Sequence, residues 1–284
     1  MQLGLNRYPF VTHSLLFFAT ITHMTILNTT FRRRLTRATG VFLALIPLAI
    51  HAGEYQFSSR ETQTTVIELY TSEGCSSCPP ADAWLSRQKQ APELWTQLIP
   101  LAFHVDYWNY LGWRDPLSKS EYSARQRRYA TLGRAGTVYT PGFFQNGSEW
   151  RGWFRRQEVV LPNPTVIGKL TVKMSGDAIT ASYLPAQPQR DPLQFYYADL
   201  GFAVENKIQA GENAGRTLVH DFVVISLMPS LATLPDANDN IYHWRIQHLT
   251  INDRADSIRA MAFWVAYPGN PAPIQATGGW LALP

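Results

Sequence analysis

The two cysteines, Cys75 and Cys78, constrain this chain more than any other feature. They are the only cysteines in 284 residues, and two residues separate them. A disulfide that closes so small a ring removes little entropy from the unfolded chain, so it adds little stability by that route. The same spacing lets one thiolate attack a disulfide and the other resolve the mixed disulfide that forms. Thiol–disulfide exchange is therefore the leading functional prediction.

Residues 1–53 are predicted to be an export signal. Four arginines between positions 32 and 37 precede a short apolar run, residues 41–50, and small residues at 52 and 53 offer a cleavage site. The apolar run is shorter than the roughly 20 residues of a membrane span, so no stable span is expected after cleavage. An uncleaved anchor is the alternative. Nothing before Met24 contributes to the signal, which makes Met24 the expected start.

The charge of the chain follows from this signal. Residues 1–52 hold five of the 25 Lys and Arg residues and no Asp or Glu, which leaves 20 basic against 21 acidic residues in the remainder. The basicity therefore belongs to the signal, and it gives no argument for nucleic-acid binding. A signal combined with a single cysteine pair predicts a periplasmic or secreted protein of the Gram-negative bacterial type.

The pattern of secondary-structure signals changes near Leu161. Before it, residues 65–70 and 99–105 are predicted strands, 81–98 and 118–132 are predicted helices, and Asn146-Gly147 marks a hairpin turn. After it, short alternating runs separated by turns indicate an antiparallel sandwich. We therefore expect an α/β domain over residues 54–161 and a mainly antiparallel, sandwich-like β domain over residues 162–284.

A helix that follows the cysteines would place Cys75 near a helix N-terminus. Free N–H groups and the helix dipole stabilise a thiolate at such a position. Cys75 is the expected attacking thiol and Cys78 the resolving one, and the hydroxyls of Ser76 and Ser77 could donate to the thiolate. A start of the helix at Pro79, which suits a first turn, would weaken the dipole's effect on Cys75. An inert bridge that stiffens a loop is the alternative reading.

His104 and Asp106 follow the second predicted strand, at the edge where α/β sites usually open. Strand alternation would put both side chains on one face. Three roles are open for them: proton transfer, ligation of a soft metal ion together with the cysteines, or a local hydrogen bond with no further function.

Four stretches of the chain resemble the exported proteins of domain-of-unknown-function family 1223. They are residues 66–82 (VIELYTSEGCSSCPPAD), 103–116 (FHVDYWNYLGWRDP), 211–223 (GENAGRTLVHDFV) and 274–281 (IQATGGWL). The resemblance implies a thioredoxin-like N-terminal domain and a β-rich C-terminal domain. It brings no established activity.

Thioredoxin-type domains carry a cis-proline beside the dithiol, and the residue before it offers backbone groups to the substrate. The matching position here is Thr140–Pro141, so Pro141 is expected to be cis and to shape the substrate strand. Thioredoxins also carry a buried acid that assists proton transfer, and Glu68 is its counterpart in the first strand. A solvated glutamate at the strand edge is the alternative. Gly74 replaces the aromatic residue usual before the first cysteine.

The chain is thus predicted to be an exported thiol–disulfide oxidoreductase-like protein that acts on protein or small-molecule thiols without a cofactor. One alternative is a periplasmic protein that holds Cu(I) through the thiolates of Cys75 and Cys78, with His104 as a further ligand. A second is a non-catalytic binding module whose disulfide is structural. The sequence leaves the client, the direction of electron flow and the oligomeric state open.

Overall fold

Strands dominate the computed structural model, which describes residues 54–159, 161, 164–249 and 257–281. Strand accounts for 43% of the structure and helix for 14%. The strands are β1 (Glu54–Ser58), β2 (Thr65–Thr71), β3 (Leu98–His104), β4 (Gly142–Gln145), β5 (Ser148–Glu149), β6 (Gly168–Ser175), β7 (Ala178–Pro185), β8 (Leu193–Gly201), β9 (Val204–Lys207), β10 (Thr217–His220), β11 (Val223–Thr233), β12 (Tyr242–Gln247), β13 (Ile258–Ala266) and β14 (Gln275–Trp280). The helices are α1 (Pro79–Arg87) and α2 (Ser120–Thr131), with 3₁₀ turns at Gln88–Gln90, Asn109–Leu111 and Trp153–Arg155. The predicted export signal lies outside the described residues.

The strands form three sheets. The largest has eight strands in the order β14-β13-β8-β11-β3-β2-β4-β5, a second has four in the order β1-β6-β7-β12, and β9 pairs with β10 in a separate ribbon. Within the large sheet β3 runs parallel to β2 and to β11, and the other pairs are antiparallel. The middle of this sheet therefore joins strands from the N-terminal and the C-terminal half of the chain.

The predicted fold class, an α/β thioredoxin-like domain followed by a sandwich-like β domain, is wrong. The fold is β-rich, with only two α-helices in the part of the chain that the structure describes. A bridge between Val223 and Ala102 joins β11 to β3, so strands from both sides of Leu161 share one sheet. Local signals located β2, β3, α2 and the β4–β5 hairpin, but they do not report which distant strands pair.

The two faces of the large sheet pack against different layers. In β8, Phe195 and Tyr197 face the four-stranded sheet, whereas Ala198 and Leu200 belong to the core on the opposite face. This alternation is the period of two that a strand imposes on its side chains. Full burial of a side chain such as Phe195 stabilises the fold by about 1.5–3 kcal/mol. Both faces of this strand are therefore covered.

Helix α2 crosses the large sheet on the face opposite to the four-stranded sheet. The hydroxyl of Tyr122 donates to the carbonyl of Val224 in β11 at 2.9 Å. The guanidinium of Arg125 lies 5.5 Å from the ring centroid of Trp264 in β13. The helix thus contacts strands from distant parts of the sequence and fixes them relative to each other. None of the helices in the described ranges is long and apolar enough to cross a membrane.

Candidate functional site

The cysteines lie in the loop between β2 and α1, which we call the cysteine loop (residues 72–78). They form a disulfide with a Cα–Cα distance of 5.5 Å. Cys78 is the N-cap of α1, and the helix begins at Pro79, where a proline loses no intrahelical hydrogen bond, and ends at Arg87, short of the predicted residues 81–98. Cys75 is only 1% exposed and Cys78 is fully buried. The pair therefore lies beneath a cover in this oxidised state.

The two serines between the cysteines are exposed and make different contacts. The hydroxyl of Ser77 lies 3.3 Å from the sulfur of Cys75, where it can donate to a thiolate. The backbone N–H of Ser76 donates to the carboxylate of Glu212 at 2.9 Å. Ser77 therefore has the expected contact with the sulfur of Cys75, whereas Ser76 contributes its backbone.

Thr140 and Pro141 reach the same end of β2. The Thr140–Pro141 peptide bond is cis, as predicted. Gly142 pairs with Tyr70 in the antiparallel β2–β4 register, which places Pro141 across from the last residue of β2, where the cysteine loop begins. Trp108 connects the two segments, since its indole N–H donates to the hydroxyl of Thr140 at 2.7 Å. A Cβ added to Gly74 would lie 3.1 Å from that of Trp108, which accounts for a glycine at this position.

Glu68 lies on the other face of the sheet from the cysteine loop. Arg125 donates to its carboxylate at 2.6 and 3.1 Å, and the hydroxyls of Tyr70 and Tyr129 donate at 2.7 and 2.8 Å. Thr71, three positions along β2, instead contacts α1 on the opposite face. The structure therefore does not bring Glu68 together with the cysteines, and its contacts are those of a buried ion pair that holds α2 to the sheet.

His104 lies beside the site, but its partner is not Asp106. The Nδ1 of His104 lies 2.7 Å from the carboxylate of Asp115, and both side chains are fully buried. Asp106 accepts a hydrogen bond from the hydroxyl of Ser123 in α2 at 2.5 Å. The shared strand face expected for His104 and Asp106 does not form, because β3 ends at His104 and the chain bends at Asp106.

Sequence reasoning missed a cluster of buried titratable side chains next to the cysteines. Asp82 lies one turn after Cys78 in α1 and accepts from the hydroxyl of Thr71 at 3.0 Å. The ring of His220 lies 4.8 Å from that of His104, centroid to centroid. Its Nε2 is 3.3 Å from the carboxylate of Glu73 but is not aligned for a hydrogen bond. We call Glu73, Asp82, His104, Asp115 and His220 the acid–imidazole cluster.

Burial and neighbouring charges shift the pKa values of Asp82, His104 and Asp115. Burial raises the pKa of Asp82 above its ordinary value, although the two histidines oppose that shift. Burial lowers the pKa of His104, but the carboxylates of Asp115, Asp82 and Glu73 outweigh it, so the net shift is upward. Burial acts to raise the pKa of Asp115, yet His104 brings it below its ordinary value. The cluster can therefore hold a proton on an imidazole, and Asp82 takes up a proton more readily than an exposed aspartate.

Not every polar atom of the cluster has a partner. Within the described ranges, the Nε2 of His104 and both ring nitrogens of His220 are buried without a hydrogen bond. The carboxylate of Glu73, by contrast, accepts from the indole of Trp113 at 2.8 Å and from the amide of Asn206 at 2.6 Å. In the same ranges no group of three or more His, Cys, Asp or Glu residues is arranged to hold a metal ion.

The ribbon of β9 and β10, with the loop between them, covers the cysteine loop. We call residues 204–220 the cover hairpin. The amide of Asn213, itself buried, donates to the carbonyls of Glu73 at 2.8 Å and Cys75 at 3.0 Å. Arg216 donates to the side-chain oxygen of Asn213 at 2.7 Å and so orients that amide. A segment more than a hundred residues away in sequence thus holds the backbone on both sides of Gly74.

The members of the acid–imidazole cluster, of which only His104 is a predicted site residue, share one signal in the sequence. Glu73 and Asp82 lie in the stretch 66–82, His104 and Asp115 in the stretch 103–116, and His220 in the stretch 211–223. These three stretches, far apart in the chain, meet at the cysteine loop. The resemblance therefore marked the site, although no local pattern identified which acids and histidines would meet.

Two solved structures are similar to this fold. Protein AGR_C_4864 from Agrobacterium tumefaciens is 23% identical, with 77% of this chain and 95% of that chain covered and a TM-score of 0.49. HBP35 of Porphyromonas gingivalis is 16% identical, with 78% and 76% covered and a TM-score of 0.53, a likeness of fold alone. No curated protein matches the sequence. The model of a family described as "Protein of unknown function (DUF1223)" matches residues 66–261, so the chain belongs to that family.

Proposed function

We propose that this protein is an exported thiol–disulfide oxidoreductase-like protein that exchanges disulfides through Cys75 and Cys78. The observation that carries the proposal is the acid–imidazole cluster beside the disulfide. A bridge that only stiffens a loop needs no buried titratable groups, and burying them is unfavourable for the fold. Perturbed titratable groups next to a nucleophile are typical of sites that move protons.

The proposed reaction has two steps. In the reduced protein the Cys75 thiolate attacks one sulfur of a client disulfide, and the other client sulfur leaves as a thiolate. The Cys78 thiol then gives its proton to Asp82 and attacks the sulfur of Cys75. The second client sulfur leaves, the Cys75–Cys78 disulfide forms, and the client disulfide has gained two electrons. The steps run in reverse when the oxidised protein meets a client dithiol.

Asp82 is suited to the proton transfer by its position. Residues four apart on a helix lie on the same face, so the side chain of Asp82 stands over the turn that begins at Cys78. Its backbone N–H donates to the carbonyl of Cys78 at 3.1 Å, which fixes this spacing. Thr71 orients the carboxylate from β2. Thr140, on the opposite side of the loop, offers its backbone to the client.

One observation favours a second candidate, the structural disulfide. Cys75 is 1% exposed, whereas a reactive cysteine needs access to its partner. Exchange therefore requires the cover hairpin to move, and a permanently closed hairpin would leave only a stabilising bridge.

A two-step thiol titration separates the candidates. Reduced protein is mixed with 5,5′-dithiobis(2-nitrobenzoate), and the release of thionitrobenzoate is followed over time. The first equivalent reports attack by Cys75, and the second reports attack by Cys78 on the resulting mixed disulfide. In Asp82→Asn we expect the second release to slow by at least about ten-fold near neutral pH, because the base is lost. Its remaining rate should rise with pH, because only the ionised thiol attacks.

Asp199→Asn is the matched control. Asp199 is another fully buried aspartate that contacts a histidine, with its carboxylate 2.7 Å from the Nε2 of His248 in a different part of the fold. This variant should release both equivalents as the unaltered protein does. Equal and sluggish reaction of both cysteines, with no effect of Asp82→Asn, would instead support the structural bridge.

A further inference from the structure

A groove beside α1 has no part in the chemistry described above. Its volume is about 690 Å³, within the range of sites that hold several side chains of a ligand. One wall is formed by Pro80, Trp84 and Arg87, which lie on one face of α1. The facing wall includes Phe154, which is 50% exposed, and Trp153. Aromatic surface that stays open to solvent on both sides of a groove is suited to hold an apolar side chain.

The groove lies between the two segments that approach a client. Pro80 comes two residues after Cys78, a rise of about 3 Å along the helix axis. On the other wall, the ring of Phe154 lies 6.4 Å from that of Tyr139, which directly precedes Thr140. The wall formed by α1 is held to the large sheet, since Trp84 packs edge-on against Phe143 of β4 with their centroids 5.2 Å apart. A chain that occupies the groove would therefore lie beside the cysteine loop.

The charges of the groove are mainly positive. Arg87 and Arg156 line it, against a single lining carboxylate from Glu158, and Arg155 lines a smaller pocket that shares Phe154 with the groove. Among the described residues, none of these three arginines has an ion-pair partner. An occupant with carboxylates would complement these guanidinium groups, which bind carboxylates in a bidentate geometry.

We infer that the groove binds an extended segment of the client protein in which acidic residues flank an aromatic or large apolar side chain. The apolar side chain would occupy the space between Trp84 and Phe154, and the acidic residues would meet Arg87 and Arg156. This inference rests on the proposed function, which requires a client protein. It adds the chemical class of that client.

Binding can be measured without any exchange chemistry. Two synthetic peptides carry a central tryptophan and a serine in place of the client cysteine; they differ only in having either four aspartates or four lysines around it. Isothermal titration calorimetry against the oxidised protein should show tighter binding of the acidic peptide by at least about ten-fold at low salt. That preference should shrink as the ionic strength rises, because exposed charges are screened.

Charge reversal locates the binding site. The double variant R87E/R156E should bind the acidic peptide about 3- to 30-fold more weakly, the range expected for two exposed ion pairs. Arg245→Glu, a single charge reversal on β12 of the other sheet, should leave the affinity unchanged. Equal affinity for the two peptides, or an unaltered affinity in R87E/R156E, would overturn the inference. Because these peptides contain no cysteine, that result would not bear on thiol exchange, and a failed thiol titration would not bear on the groove.

Discussion

Replacement of Asn213 by alanine tests whether the cover hairpin controls access to the disulfide. Its amide is the only side chain seen to donate to both the Glu73 and the Cys75 carbonyls among the described residues. The alanine variant would leave two buried carbonyls without these bonds, and each such loss costs about 1–3 kcal/mol. Water that enters the loosened loop would form some of the lost hydrogen bonds again. We therefore take about 2 kcal/mol as the expected loss of stability of the closed hairpin.

The missing hydrogen bonds destabilise the closed hairpin only, because the open hairpin does not form them. Since each 1.4 kcal/mol is a ten-fold change in an equilibrium constant, the open population should rise about thirty-fold. If attack on the disulfide occurs only from the open hairpin, reduction by dithiothreitol should accelerate by the same factor. The rate is followed by quenching with an alkylating reagent and counting labelled cysteines by mass spectrometry.

Two measurements make this experiment decisive. Hydrogen exchange at the amides of Ile208 and Gly215, which bond within the hairpin loop, should show that the loop has loosened. Asn270→Ala removes a comparable side-chain hydrogen bond, at 3.1 Å to the amide of Ala272, from a loop outside the hairpin, and it should leave the reduction rate unchanged. Loosened amides together with an unaltered reduction rate would refute the gating argument.

Two further predictions concern the buried pairs. In Glu68→Gln the guanidinium of Arg125 loses its buried counter-charge, so urea denaturation should show a loss of about 3–5 kcal/mol, and a loss below about 1 kcal/mol would contradict the assigned role. The pKa of His104 is raised above its ordinary value of 6.5. The pairing of His104 with Asp115 therefore contributes its full stability below pH 6.5. This contribution is lost as the pH rises through the raised pKa. The urea midpoint should therefore fall on going from pH 6 to pH 9, and His104→Gln should remove most of that fall. An equal dependence of the midpoint on pH in the variant would show that another group titrates.

The sequence predicted local structure where one short pattern decides it. The Asn146-Gly147 turn, the helix start at Pro79 and the apolar run of β2 each depend on a few neighbouring residues, and all three occur in the structure. The fold class failed because it depends on the pairing of β11 with β3, over about 120 positions of sequence. No local period distinguishes a strand that extends a mixed sheet from one that belongs to a separate sandwich.

The same distinction explains which site residues could be predicted. Cys75 and Cys78 were recognised because their chemistry depends on a spacing of three positions, which the sequence states directly. His104 ends an apolar strand and is a candidate for that reason, but the shared face predicted for His104 and Asp106 requires the strand alternation to continue past His104. The bend after His104 breaks the alternation. His104 instead forms a hydrogen bond with Asp115, eleven positions away.

The cover hairpin and the sheet pairing have one structural origin. β10 ends at His220 and β11 begins at Val223, so the crossover that brings β11 beside β3 also carries His220 to His104 at the end of β3. The strand order therefore decides the chemistry of the site. In a separate C-terminal domain, as first expected, His220 and Asn213 would have no reason to meet the cysteine loop. Because the two halves share one sheet, the C-terminal half supplies both the cover over the disulfide and one of its two buried imidazoles.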